Sequence, residues 1–165
     1  MKTVATRFAP SPTGPLHIGG VRTALFNWLY SKNKGGKFYL RIEDTDKERS
    51  KEEFKDQIIN SLKWIGINYE DSEYIQSDKI DDHINVANEL LKKGLAYKCY
   101  CSSDEIEEQK KRAKQKKIPY IYDRKWRDKN ESDAPKNIKP VIRFKSKIDG
   151  KSKLKDLVQG DVEID

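Results

Sequence analysis

The chain has 165 residues, 34 of them lysine or arginine and 27 aspartate or glutamate, which leaves a net charge of +7. That length suffices for one domain, or one domain with a small appendage, and excludes a large multidomain catalyst. With 37% charged and 35% hydrophobic residues, no apolar run near the ~18 residues of a membrane span and no signal-peptide pattern, the expectation is a soluble, unexported, cytoplasmic protein without a membrane partner.

Val4 to Phe8 reads as a short strand that runs straight into Ala9-Pro10-Ser11-Pro12-Thr13-Gly14-Pro15. The prolines fix φ at about −65° and keep the residue before each out of the helical region, so the next helix should start near Pro15 to His17. Gly19 and Gly20 remove side chains that would hold a nucleotide off the backbone. The free N–H groups and the positive helix end then face any anion, an attraction of about 0.3–1 kcal/mol per charge at an exposed site. His17, between Pro15 and the glycines, is placed for a phosphate contact, with helix capping as the alternative. Ile18, Val21, Leu25, Trp28 and Leu29 recur at helical spacing and mark the face expected to pack, and Gly35 and Gly36 end the helix.

Phe38, Leu40 and Ile42 alternate with Tyr39, Arg41 and Glu43, a strand pattern. Strand, crossover helix and strand predict a right-handed parallel unit, whose ligand edge lies at the carboxyl ends of the strands. Arg7 to Ser11 and Glu43 both fall on that edge. A cation and an anion there suit a zwitterionic substrate, unless Arg7 and Glu43 simply pair with each other.

Ser50 and Glu53 have capping-box spacing, Phe54, Ile58, Leu62 and Ile65 form an apolar stripe, and Gly66 is the stop. Asp44-Thr45-Asp46 reads as the turn before that helix rather than a metal site. Tyr74 to Ser77 predicts a short extended piece, and Ile80, Ile84, Ala87 and Leu91 a third helix ending at Gly94. His83 reads as a surface or partly packed residue of that helix. The alternation predicts an α/β sheet with helices on both faces.

After Gly94 the character changes. Ala96 to Cys101 is extended, Ser102 with Glu105 is a second capping box, and the helix it opens is polar nearly all round from Glu107 to Lys117. Val141 to Phe144 and Leu157 to Ile164 read as strands of a separate small sheet, so residues 1–94 and 95–165 are expected to be distinct domains. The basic excess falls in Lys110 to Lys129 and Lys136 to Lys155, which points to a polyanionic partner. Lys110, Lys111, Arg112, Lys114, Lys116 and Lys117 are followed by Tyr120, Tyr122 and Trp126 among Arg124, Lys125 and Arg127. Such interleaving can track phosphates and stack on an unpaired nucleic-acid end; a plain solvated helix is the alternative. Cys99 and Cys101, two apart on an extended segment, could address one metal or be two reduced structural thiols.

Three blocks in order, Arg7-Phe8-Ala9-Pro10-Ser11-Pro12-Thr13-Gly14, His17-Ile18-Gly19-Gly20 and Arg41-Ile42-Glu43-Asp44-Thr45-Asp46, resemble the amino-terminal half of the Rossmann domain of glutamyl-tRNA synthetases. His-Ile-Gly-Gly would be its form of the class I His-Ile-Gly-His signature. The resemblance covers most of residues 3 to 101 and loosens beyond. It implies the first half of a Rossmann-like parallel-sheet nucleotide-binding domain, then the start of a small α+β connective insertion that contacts the tRNA acceptor end. The chemistry implied is activation of L-glutamate with ATP and Mg²⁺ to an adenylate, then transfer to the 3′ end of tRNA(Glu), with tRNA(Gln) as a further candidate. The full-length enzyme would be monomeric. This chain would be a truncated and inactive portion, because the second class I signature, a Lys-Met-Ser-Lys-Ser-like loop, does not occur before Asp165.

By the same resemblance Arg7 pairs with the side-chain carboxylate of glutamate, Ala9 and Ser11 line its pocket, and Glu43 holds the α-ammonium group. Pro10, Thr13, Gly14, His17, Gly19 and Gly20 would bind ATP, with His17 the catalytic group on the phosphate oxygens. Lys110, Lys111, Lys114, Tyr122, Arg124, Trp126 and Arg127 would meet tRNA, although Arg124 replaces the glycine of the family's Tyr-Asp-Gly. Some relatives hold a structural zinc through Cys-x-Cys, a tyrosine and a further cysteine. Here Cys99, Cys101 and Tyr122 remain, but Trp126 stands where the third cysteine is expected and Asp128 where some have histidine, so zinc is not expected. The closest rival is a glutamyl-queuosine tRNA(Asp) synthetase, against which Arg22 to Trp28 and Ile42 to Asp46 speak. A rival of another class is a non-catalytic nucleotide- or nucleic-acid-binding module.

Overall fold

β1 (Ala5–Phe8) and β2 (Lys37–Ile42) pair in parallel, from Ala5 opposite Lys37 to Phe8 opposite Leu40, with α1 (Ile18–Asn33) crossing between them. β3 (Tyr74–Ile75) adds to the far side of β2, giving the order β1-β2-β3 in a computed structural model that describes residues 3–164. Alternation puts Phe8, Phe38, Leu40, Ile42 and Ile75 on one face. There they cluster with Ala24 of α1, with Ile58 and Leu62 of α2 (Glu52–Trp64), and with Ile67. Full burial of one such large side chain stabilises by about 1.5–3 kcal/mol, so this cluster holds the unit together. Both α1 and α2 use this face, and neither supplies the expected layer on the other. That second face carries Arg7, Tyr39, Arg41 and Tyr74 and opens as a groove of about 550 Å³.

Only part of the stripe of large residues on α1 packs: Trp28 lies against the core and Val21 is partly buried. Ala24 and Ser31 are fully buried, whereas Ile18 is 83% exposed and Leu25, Phe26 and Leu29 face outward as well. The helix lies too close to the sheet for large side chains: Thr6 Oγ1 donates directly to the carbonyl of Asn27 at 2.8 Å. At Gly20 a Cβ would come within 2.8 Å of a Leu16 methyl. Past the helix, Gly36 passes so near β1 that a Cβ would sit 2.3 Å from the Val4 carbonyl oxygen.

The capping box expected at Ser50 does not form. Lys51 is the N-cap of α2 and makes no side-chain capping bond, because the Lys51 N–H donates to the Pro12 carbonyl at 3.0 Å and the Ser50 N–H to the Asp46 carbonyl at 2.9 Å. Ser50 is thereby drawn into the turn, its hydroxyl buried without a partner. Ile67, past the Gly66 stop, fills the core in place of the half-exposed Ile65.

Asp44 ties the unit together across 33 residues, accepting from the Ser77 N–H at 2.9 Å and the Ser77 hydroxyl at 2.5 Å. Ser77 opens the 3₁₀ turn Ser77–Lys79 that leads into α3 (Ile80–Lys92). The chain divides into two compact units between His83 and Ile84, inside α3 and ahead of the Gly94 boundary read from composition.

In the second unit β4 (Ala96–Cys99) pairs antiparallel with β5 (Val141–Phe144). The Ser102–Glu105 capping box does form at the head of α4 (Ser103–Gln115). A hairpin of β6 (Ser152–Asp156) and β7 (Gly160–Ile164) replaces the single strand expected from Leu157. Residues 157–159 are its turn, with the Val158 and Gln159 N–H groups both donating to Asp156 Oδ1 at 2.7 Å.

Burial pushes the Asp44 carboxyl up, but the two Ser77 bonds outweigh it and hold the group below its ordinary 3.8. A depressed carboxyl stabilises the fold above its unfolded value and loses that contribution as pH falls through the folded one. Asp44→Ala is therefore expected to cost about 1–2 kcal/mol at neutral pH, with the gap to the parent closing below pH 3.8. Urea unfolding of both proteins across that range measures it, and a gap independent of pH would remove the carboxylate from the explanation.

Candidate active site

Two backbone bonds set the ligand edge of the first unit. The Glu43 N–H donates to the Pro10 carbonyl at 2.9 Å, and Lys51 bonds Pro12 as described. Pro12 is fully buried, so the turn from Ala9 to Thr13 is clamped over the carboxyl ends of β1 and β2 with Ser11 and Thr13 exposed. Ala9, Pro10 and Gly14 are half-buried beside them.

His17 is the N-cap of α1, extended at φ −101° and ψ 165°. Its Nδ1 accepts from the Gly19 N–H at 3.2 Å, which in the neutral ring leaves the proton on Nε2. A Cβ at Gly19 would meet His17 Cε1 at 3.0 Å and Nδ1 at 3.1 Å. The two glycines leave room for the His17 ring at Gly19 and for Leu16 at Gly20, and the Gly19 N–H, expected to be free, is taken by His17 Nδ1. The capping alternative for His17 is realised, while its side chain remains exposed. The first turn of α1 holds no acidic residue, so the positive end of the helix is not neutralised there.

Arg7 stands exposed on the open sheet face, in the 550 Å³ groove with Tyr39, Arg41, Tyr74, Gln76 and His83. It does not pair with Glu43; Arg41 does. Arg41 also keeps its Nε buried without a partner. The sequence reading passed over Arg41, although positions 39, 41 and 43 share one face of a strand and that spacing could have found it. Asp46 is taken by Arg49, whose Nε donates to it at 2.7 Å, which fits the turn role of Asp44 to Asp46.

In the second unit Lys110, Lys111 and Lys114 are exposed on α4. Trp126 is only 5% exposed and packs edge-on against Tyr100, so its face is not free for a base. Tyr122 is occupied too, its hydroxyl 3.0 Å from Cys99 Sγ and 3.3 Å from Cys101 Sγ. Burial, then the two thiols, push that hydroxyl up, so it stays protonated. Arg124 adopts φ 58°, the left-handed geometry for which glycine would be the easier residue, and the turn forms nonetheless. Arg127 lines a groove of about 880 Å³ with Lys98, Tyr100, Lys129 and Lys145.

Asp128 is turned to Lys145, 3.7 Å away, with 80% of its side chain exposed. Among the described residues no three His, Cys, Asp or Glu side chains gather at one point. Two thiols and a protonated phenol make a poor tetrahedral zinc site.

The sequence model of the family described as tRNA synthetases class I (E and Q), catalytic domain, matches residues 3–165. A glutamate–tRNA ligase of Pelagibacter ubique is 78% identical over all 165 residues, which are 35% of that protein. One from Bartonella bacilliformis is 53% identical over 97% of the chain and 34% of its own length. The chain thus spans about a third of the curated relatives it matches. The crystal structure of a glutamate tRNA ligase from Elizabethkingia meningosepticum in complex with its amino acid superposes with a TM-score of 0.81 at 33% identity, over 99% of this chain and 36% of that one.

His17→Ala removes the side-chain cap and is expected to lower stability by about 1 kcal/mol, whereas His17→Asn keeps an acceptor and should lose little. Thermal unfolding of the two variants decides. Equal losses in both would mean that the ring's packing over Gly19, not the capping bond, is what stabilises the helix start.

Proposed function

Since the chain belongs to the family of class I tRNA synthetase (E and Q) catalytic domains, we propose that it is the amino-terminal part of an enzyme that activates L-glutamate with ATP and transfers it to tRNA. The observation that carries this reading is the Pro10–Glu43 backbone bond, which holds Ala9 to Thr13 against the end of β2. Arg7 recognises the side-chain carboxylate, its planar guanidinium fixing direction as well as charge. Ala9 and Ser11 line the pocket beside it, and Glu43, already oriented by Arg41, receives the α-ammonium group.

The substrate α-carboxylate then attacks the α-phosphate of ATP, so the protein's task is positioning and charge neutralisation, not covalent catalysis. Pro10, Thr13 and Gly14 border the nucleotide, His17 Nε2 donates to a phosphate oxygen, and the positive end of α1 at Gly19 and Gly20 adds its field. Mg²⁺ bound to the nucleotide balances the remaining phosphate charge. In the second unit Lys110, Lys111, Lys114, Arg124 and Arg127 supply the cations for the acceptor end of tRNA(Glu), with tRNA(Gln) a further substrate to test. We place this activity in the cytoplasm, in a protein working as a monomer and without zinc.

In the full-length enzyme Arg7→Ala is expected to lower kcat/KM for glutamate at least about 10²-fold, the cost of a lost charged hydrogen-bond partner, and to leave ATP affinity unchanged. An equal loss for both ligands would mean that Arg7 supports the fold and not the substrate.

The 165-residue chain alone is expected to give no measurable ATP–pyrophosphate exchange, since charge at the leaving pyrophosphate supplies much of the stabilisation such transfers need. Exchange above a blank preparation, abolished by His17→Ala, would show that this portion suffices.

A further inference from the structure

Cys99, Cys101 and Tyr122 bring two sulfurs and one oxygen to a single point, the Tyr122 hydroxyl lying 3.0 and 3.3 Å from the two thiols. A metal-binding knuckle would add a fourth donor and leave a space at the centre. At the sequence position where the resemblance puts that donor stands the buried Trp126, which has no atom to offer a metal and packs against Tyr100 with ring centroids 5.2 Å apart. The cation is already present. Arg143 stands on β5 opposite Tyr97 of β4, its guanidinium carbon lies 3.9 Å from the centre of the Tyr122 ring, and its Nε is buried without a hydrogen-bond partner.

We infer that this cluster is a knuckle closed by a side-chain cation and not by a metal, the Arg143 guanidinium stacking on the Tyr122 ring whose hydroxyl draws Cys99 and Cys101 together. The chemistry suits arginine specifically. Its group is flat enough to stack on the Tyr122 ring and carries a permanent charge. A dication brought to the same thiols would meet that charge on the adjoining Tyr122 ring, and Asp128, engaged with Lys145, does not stand beside them to offset it. β4, β5 and the 122–126 turn are thereby joined by hydrogen bonds, stacking and Trp126 packing, independently of metal supply.

Cobalt(II) titration of the reduced chain tests the first half of this inference. No thiolate-to-cobalt charge-transfer absorption is expected, and thermal unfolding should be the same with and without a chelator. One equivalent of cobalt bound through sulfur, displaced by zinc, would overturn it, as would a chelator-induced loss of stability. The second half is tested by maleimide labelling of the two cysteines under native conditions. Arg143→Met is expected to speed labelling about tenfold by loosening the knuckle, and Arg143→Lys, which keeps the charge without the flat group, to recover part of the protection. Labelling unchanged in Arg143→Met would show that the guanidinium does not close the cluster. If that variant does not fold, the cobalt and chelator measurements on the parent still decide whether a metal does.

Discussion

The clamp on the proline turn is the constraint from which the first unit is organised. Proline brings carbonyl acceptors without N–H donors, so a segment rich in it must borrow donors from elsewhere. Here Glu43 and Lys51 lend them to Pro10 and Pro12. One bond fixes where β2 ends and which residue stands at its tip. The other fixes where α2 begins. The candidate ligand edge is therefore set by main-chain geometry, with the side chains of Ser11 and Thr13 exposed and that of Glu43 paired with Arg41.

The same economy of space explains the unequal faces of the sheet. One face takes both helices and the apolar cluster; the other is polar and carries two arginines in a groove. Parallel sheets are ordinarily covered on both sides; among the described residues this second face stays open as the groove that holds Arg7 and Arg41. The price is that α1, pressed against the inner face through small residues, turns Ile18, Leu25, Phe26 and Leu29 outward.

Much of this was legible in the residues. β1 and β2 followed from alternation, and the Ser102 capping box was correctly read because nothing competes for its donors. Ser50 has the same local pattern, but the carbonyl that claims the Lys51 N–H belongs to a loop 39 residues earlier, which no local spacing reports. Large-residue periodicity marks the packing face of α1 only at Trp28, because the most buried positions of the helix are the small Ala24 and Ser31. β6 was hidden by Lys151, Lys153 and Lys155, whose charges mask a strand exposed along nearly its whole length. Arg41 lies two residues from its partner Glu43, a spacing visible in the sequence, whereas Arg143 stacks on Tyr122, 21 residues earlier, a contact no local spacing reports.

The tight passage at Gly36 has a genetic meaning. The Val4 carbonyl that any side chain there would strike also accepts from the Lys37 N–H at 2.9 Å, at the first rung between β1 and β2. It cannot retreat without opening the sheet at its origin. Every missense change at that codon should therefore behave as an allele that loses the protein itself, silent at the level of substrate recognition, and so serve as the reference phenotype against which alleles at Arg7 or Glu43 are scored.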